Sequence, residues 1–188
     1  MKNTSIKDNK TFKGEYVMRK YLTRDRINCI ASLRGLPKWY VKMLDLIPTA
    51  KELSLMTPIY VSPVIANKVV SSTGGYGRNI VIRQLSNDTT YPIAITLGAI
   101  GTGSTAPTDA DTGLETQVLG SIAVTDRVIS NDSVTLTFFI TDGSLTNGTY
   151  AEWGIFCATR LFARSLISPT YAKASGQDTT ISHVVTLS

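Results

Sequence analysis

The clearest signal in the chain is a hydrophobic period of two. In Ser133 to Thr141, Val134, Leu136, Phe138 and Ile140 alternate with Thr135, Thr137 and Phe139, the pattern of a strand with one face buried. Comparable segments are predicted at 63–71, 79–85, 91–97, 120–125, 149–157, 161–166 and 179–187, separated by Gly, Asn, Asp and Pro. In 79–85 the apolar run Ile80-Val81-Ile82 is continuous, which reads as a strand buried on both faces. Asn147-Gly148 is a strong turn signal feeding the segment that carries Trp153 and Gly154. Eight short strands without long helical patterns predict a mainly β body, an antiparallel sandwich of Greek-key, Ig or jelly-roll type, over residues 58–188.

Upstream the period changes to that of a helix. Thr23 is read as an N-cap, with Asp25 in the first turn, Ile27, Ile30, Ala31 and Arg34 at helical spacing, and Gly35 as the stop. Leu36-Pro37 opens a second helix, with Trp39, Tyr40, Met43, Leu44 and Ile47 on one side and Lys38, Lys42 and Asp45 on the other, before Pro48. Thr49 to Leu55 adds a further turn. A two-helix unit cannot bury its own apolar face, so that stripe must cover either the β body or another subunit. Met1 to Tyr16 is polar and reads as a flexible segment, or one that orders against a neighbour. Residues 1–57 are therefore expected to form a basic N-terminal helical arm, and a chain starting at Pro58 is expected to fold without it.

Charge sharpens that division. Through Thr57 there are twelve Lys and Arg against five Asp and Glu; from Pro58 onward seven face nine. A basic arm on a slightly acidic body points to an acidic partner. Arg19, Lys20, Arg24, Arg26, Arg34 and Lys38 are the candidates for acidic surfaces, with Trp39, Tyr40, Met43 and Leu44 as apolar anchors, since Arg and aromatic residues dominate interface energetics.

Candidate chemistry is sparse. No apolar run is long enough to span a membrane, and the N-terminus lacks the apolar middle of a signal peptide, so the chain is expected to be made in the cytoplasm with no membrane partner. Cys29 and Cys157 have no CxxC spacing and read as free thiols. Ser71 to Arg78 is glycine-rich but lacks the Walker Lys-Ser/Thr pair and a following helix, so it reads as a hairpin tip. Asp109, Asp111 and Glu115 lack the calcium-loop ladder and read as loop solvation and capping; no metal or cofactor is expected. The one histidine, His183, is placed by alternation on the solvent face or an edge, and Glu152 has no visible partner, so no catalytic constellation emerges. A glycan-binding reading would use Tyr76, Tyr91, Trp153 and Tyr171, although aromatics in a small β protein are usually core. Nucleic acid is not expected, because charge in the arm is its only support.

One ordered series of motifs carries a resemblance: Leu97-Gly-Ala-Ile-Gly-Thr-Gly-Ser-Thr-Ala-Pro107, Asp111-Thr-Gly-Leu-Glu115, Asn147-Gly-Thr-Tyr-Ala-Glu-Trp-Gly-Ile-Phe156, Leu161-Phe-Ala-Arg164 and Lys173-Ala-Ser-Gly-Gln-Asp-Thr-Thr180. This series, over about Tyr91 to Ser188, resembles a family of small structural proteins of tailed bacteriophages and prophages. The resemblance implies a virion component without a cofactor, an assembly subunit of the tail, neck or baseplate region. Its partners would be other virion proteins (tail, neck, portal or capsid subunits), and it would be a homo-oligomer in a symmetric assembly. A capsid decoration protein and a receptor- or glycan-binding module of a phage appendage are the alternatives.

Overall fold

In the computed structural model, which describes residues 12–187, eight strands close into an antiparallel β-barrel, correcting the expected open sandwich with an N-terminal helical arm. The strands are β1 (Phe12–Leu22), β2 (Tyr60–Val61), β3 (Ile65–Val69), β4 (Ile95–Gly101), β5 (Gln117–Ser130), β6 (Ser133–Ile140), β7 (Gly148–Cys157), β8 (Arg160–Lys173) and β9 (Gln177–Leu187). The helices are α1 (Thr23–Arg34), α2 (Lys38–Met43), α3 (Ala50–Ser54) and α4 (Arg78–Leu85). Around the barrel the order is β1-β3-β8-β7-β4-β5-β6-β9, and β9 returns to β1. The short β2 lies beside the second half of β1.

Closure depends on β1, in the segment expected to be a polar arm. It pairs with β9 along its whole length, from Phe12↔Leu187 to Leu22↔Gln177, and with β3 through Gly14, Glu15 and Tyr16. Its own alternation explains this. Gly14, Tyr16 and Met18 are buried while Lys13 and Glu15 face outward, so the charged half of the pleat masked the apolar half. The expectation of flexibility is thus corrected for Phe12 to Tyr16, and for residues 1–11 it lies outside the described residues.

Two long strands turn the corners that a sandwich would leave open. β5 pairs with β4 through its first half and with β6 through its second, with a register shift between Val124 and Asp126. β8 likewise pairs with β3 near Ala163 and Arg164 and with β7 along most of its length. Such irregularities let one strand serve two sheet directions.

The helices α1, α2 and α3 are an insertion between β1 and β2, and α4 lies between β3 and β4. α1 ends at Gly35 in the left-handed region at φ 64°, as the sequence predicted, but Leu22 is its N-cap and Thr23 is its first helical residue. Thr49 caps α3 reciprocally with Glu52. The stretch 79–85 is helix rather than strand: α4 buries Ile80 and leaves Ile82 and Leu85 exposed. A short apolar run does not by itself separate the two states. Gly77, the N-cap of α4, lies so close to Val70 that a Cβ would sit 2.0 Å from its carbonyl oxygen.

Inside the barrel, Trp153 packs edge-on to Phe138 at 5.1 Å between ring centroids. Its ring occupies the space a side chain at Gly98 would need, with a Cβ there only 2.2 Å from the indole. Ile100, Ile155 and Ile181 complete the surrounding layer.

Candidate interaction surfaces

Three polar clusters and one apolar face account for most of the residues singled out in the sequence. The first cluster lies in the barrel interior. His183, expected at an edge, is fully buried. Its Nδ1 accepts the Trp153 indole hydrogen at 3.1 Å, Tyr16 stacks on its ring, and Nε2 lies 2.6 Å from the Asn67 carboxamide. Because Nδ1 accepts, Nε2 carries the ring hydrogen, and the amide end of Asn67 that belongs against it is the oxygen. Ser165 donates to the Tyr16 hydroxyl at 2.9 Å. Burial holds the imidazole neutral, with its pKa lowered to about 3, and pushes the Tyr16 phenol up.

The second cluster gathers four of the five motifs in the ordered series. Glu152 is fully buried; Oε1 accepts from the backbone N–H groups of Gly103 and Thr116 at 3.0 and 2.7 Å, and Oε2 from that of Glu115 at 2.9 Å. Arg164 Nε donates to Glu152 at 2.9 Å, Nη1 to Asp111 at 2.8 Å and Nη2 to the Thr105 carbonyl at 3.0 Å. Burial works against the Asp111 charge, but bonds from Thr108 and Arg164 outweigh it and hold its pKa below the usual range. Bonds from Thr105 do the same for Glu115. A Cβ on Gly101 or Gly103 would collide with Glu152, so both glycines are needed for the loop to approach. The partner that Glu152 lacked in the sequence is Arg164, and the whole cluster folds the loop 102–116 onto the barrel.

The third cluster fastens the helical insertion to the barrel end. Arg26, only 1% exposed, donates Nε to the buried carboxylate of Asp178 at 2.8 Å, Nη2 to Asp45 at 2.7 Å and Nη1 to the Leu46 carbonyl at 2.7 Å. Thr23 and the Asp142 N–H also donate to Asp178. Lys173 donates to Asp142 at 2.6 Å, which brings in the fifth motif. These bonds hold α1 and the α2–α3 connection against β9.

The proposed partner-binding residues therefore divide. Arg26 is consumed inside the molecule, and Arg34 donates to Glu52 at 2.7 and 2.6 Å, helping to hold that carboxyl down at about 2. Lys20 lies on β1, over the rings of Tyr60 and Tyr171, and donates to the Ala172 carbonyl. Arg19 is also on β1, bonded to Ser182 Oγ at 3.0 Å. Arg24 is on the surface beside Asp25, and Lys38 is exposed. Trp39, Met43 and Leu44 are 66%, 62% and 48% exposed, and Tyr40 is half-buried with its ring edge-on to Trp39.

That apolar face does not fold back on the barrel. The helices pack on each other through Ile30, Ala31 and Val41, with Ile27, Leu36 and Leu46 around them, and leave Leu33, Ile47 and Leu55 exposed as well. Of the aromatics considered for sugar stacking, Trp153 and Tyr171 are buried, while half-buried Tyr76 and Tyr91 hold the Arg160 guanidinium at 4.9 and 4.8 Å. Both cysteines are free, with Cys157 buried and its thiol pushed up to about 12 by that burial. No group of His, Cys, Asp and Glu among the described residues is arranged to hold a metal, and no described helix is long and apolar enough to cross a membrane.

No family model matches the chain, and neither a curated protein nor a solved structure matches it.

Proposed function

We propose that the chain is a structural subunit of a tailed-bacteriophage virion, in the tail, neck or baseplate region, which docks on neighbouring virion proteins through its helical insertion. The observation that carries this reading is the exposed Trp39, Met43, Leu44 face on a helical unit pinned rigidly to the barrel by Arg26. Contiguous apolar surface of this kind marks interaction sites, and a rigid mount lowers the entropy lost on docking. The ordered motif series supports the virion context. Its residues build the knots at Glu152 and Asp178, so they are accounted for as framework rather than as a catalytic centre.

The docking element differs from the expected arm. It is an insertion between barrel strands; Arg26 and Arg34 are engaged within the chain while Lys38, Lys42 and Lys51 stay exposed, so apolar contact carries the interaction with positive charge around it. Repetition of the subunit in a symmetric assembly would multiply weak contacts through effective concentration. On this reading the protein belongs to the virion, as a homo-oligomer in a symmetric assembly with other virion proteins as its partners.

The test is complementation with full-length protein carrying Trp39→Ser and Met43→Gln together. Both side chains are exposed, so the variant is expected to fold with unchanged circular dichroism and melting temperature, yet to be lost from purified particles. Incorporation at the wild-type level overturns the docking surface; absence of the wild-type protein from particles overturns the virion reading itself.

A further inference from the structure

Beside α3, the outer face of the barrel carries a groove of about 260 Å³ lined by Arg19, Thr137, Thr180, Ser182, Tyr21 and Ser54, with Ala50 and Leu53. Strand register builds it. Arg19 on β1 is opposite Thr180 on β9, and Ser182 on β9 is opposite Thr137 on β6, so these side chains share one outward face of the pleat. α3 closes the groove along one side with Leu53 and Ser54.

Its composition is one-sided. Among the described residues the lining offers one guanidinium and five hydroxyls and has no carboxylate. Arg26, Arg34, Arg83 and Arg164 each meet a carboxylate of this chain, whereas Arg19 has none within ion-pair distance among the described residues and bonds only to Ser182. Of the neighbouring acids, Glu52 is committed to Arg34 and Asp178 to Arg26, and Asp126, opposite Thr137 on β5, lies outside the lining. Glu15, on the same face of β1, stands four residues away, about 13 Å at the rise of a strand. Thr180 adds an independent sign. Its hydroxyl is buried next to Arg19 with no hydrogen-bond partner among the described residues, a cost that a folded chain rarely carries without use.

We infer that this groove is a binding site for a single oxyanion group, a carboxylate or a phosphate. Arg19 supplies the fork of donors that matches such a group in two parallel bonds, and the surrounding hydroxyls supply the rest. On binding, the guanidinium turns from Ser182 to the anion, which frees the Ser182 hydroxyl and uncovers that of Thr180 as further donors. This inference is independent of the virion reading.

The experiment follows thermal unfolding of the full-length protein in sodium phosphate and, separately, in sodium acetate, each against sodium chloride at equal ionic strength. The expected result is a saturable rise in melting temperature with at least one anion, the effective one identifying the source chemistry. The apparent affinity should fall about tenfold or more in Arg19→Gln, the loss of one charge-assisted pair. Thr180→Val keeps the side-chain shape and removes the unpaired hydroxyl, so it should be at least as stable as wild type without anion and respond less to the effective one. Amide NMR shifts on adding the same anions should centre on Arg19, Thr180 and Ser182. No rise beyond that in chloride with either anion, or a titration unchanged in Arg19→Gln, overturns the site.

Discussion

The indole hydrogen of Trp153 is donated to Nδ1 of His183, 3.1 Å away in the barrel interior. This bond requires a neutral imidazole, because a protonated ring has no lone pair to offer. It also joins the two residues of the body least alike in the sequence reading, a tryptophan expected in the core and a histidine expected at an edge.

A pH dependence follows with a defined sign. Burial lowers the His183 pKa from 6.5 to about 3, so the unfolded chain takes up a proton below about pH 6.5 that the folded chain refuses. Stability therefore falls as pH drops through that window, and the loss levels off below about 3. Glu52 acts in the same direction but only lower, since its pKa is depressed from 4.5 to about 2. His183 is the only histidine. Urea unfolding should thus show about 2 kcal/mol less stability at pH 5 than at pH 7, and His183→Gln should flatten that difference whatever its stability at pH 7. An equal slope in the variant would show that the imidazole is not held neutral.

The knot at Glu152 makes a second prediction. Glu152→Gln keeps the shape but puts an NH₂ group where one carboxylate oxygen now accepts hydrogen bonds. That leaves either Arg164 with the Glu115 N–H, or the Gly103 and Thr116 N–H groups, without an acceptor. Breaking a buried charge pair from one side costs about 3–5 kcal/mol. The variant should lose stability of that order in denaturant, and limited proteolysis should cut first between Thr102 and Thr116. A loop no more sensitive than in wild type would mean that other contacts hold it.

Removal of residues 1–57 tests the fold itself. Such a chain lacks β1, and with it the full ladder that β1 forms with β9. Both β3 and β9 would become open edges, and Tyr16 and Met18 would vanish from the core. The truncated chain is expected to aggregate or to lack cooperative unfolding by circular dichroism. A soluble, cooperatively melting monomer would show that the barrel closes without its first strand.

Local patterning determined most of the strands. The alternation in Ser133 to Thr141, the Asn147-Gly148 turn and the Trp153-Gly154 pair identify strands that pack a common core, and the Gly35 stop is visible as a residue. These features are legible because period two, positive φ and capping hydrogen bonds are properties of neighbouring residues. The exposed stripe Trp39, Met43 and Leu44 was legible for the same reason, as one face of a helix.

What the tertiary structure decided is how those pieces close. Sandwich and barrel strands share one alternation, and the choice between them lies in the long-range pairing of β1 with β9 and in the corners turned by β5 and β8. Ile80-Val81-Ile82 is helix, with Ile80 buried and Ile82 exposed, a split that the continuous apolar run did not show. The partners of Glu152, Arg26 and His183 are 12, 152 and 30 residues away along the chain, at Arg164, Asp178 and Trp153. A charge or a ring nitrogen in a sequence carries no sign of whether it will meet a partner or water. Only the folded arrangement, by setting distance and burial, made three of these residues framework and left Arg19 facing a groove without an acid.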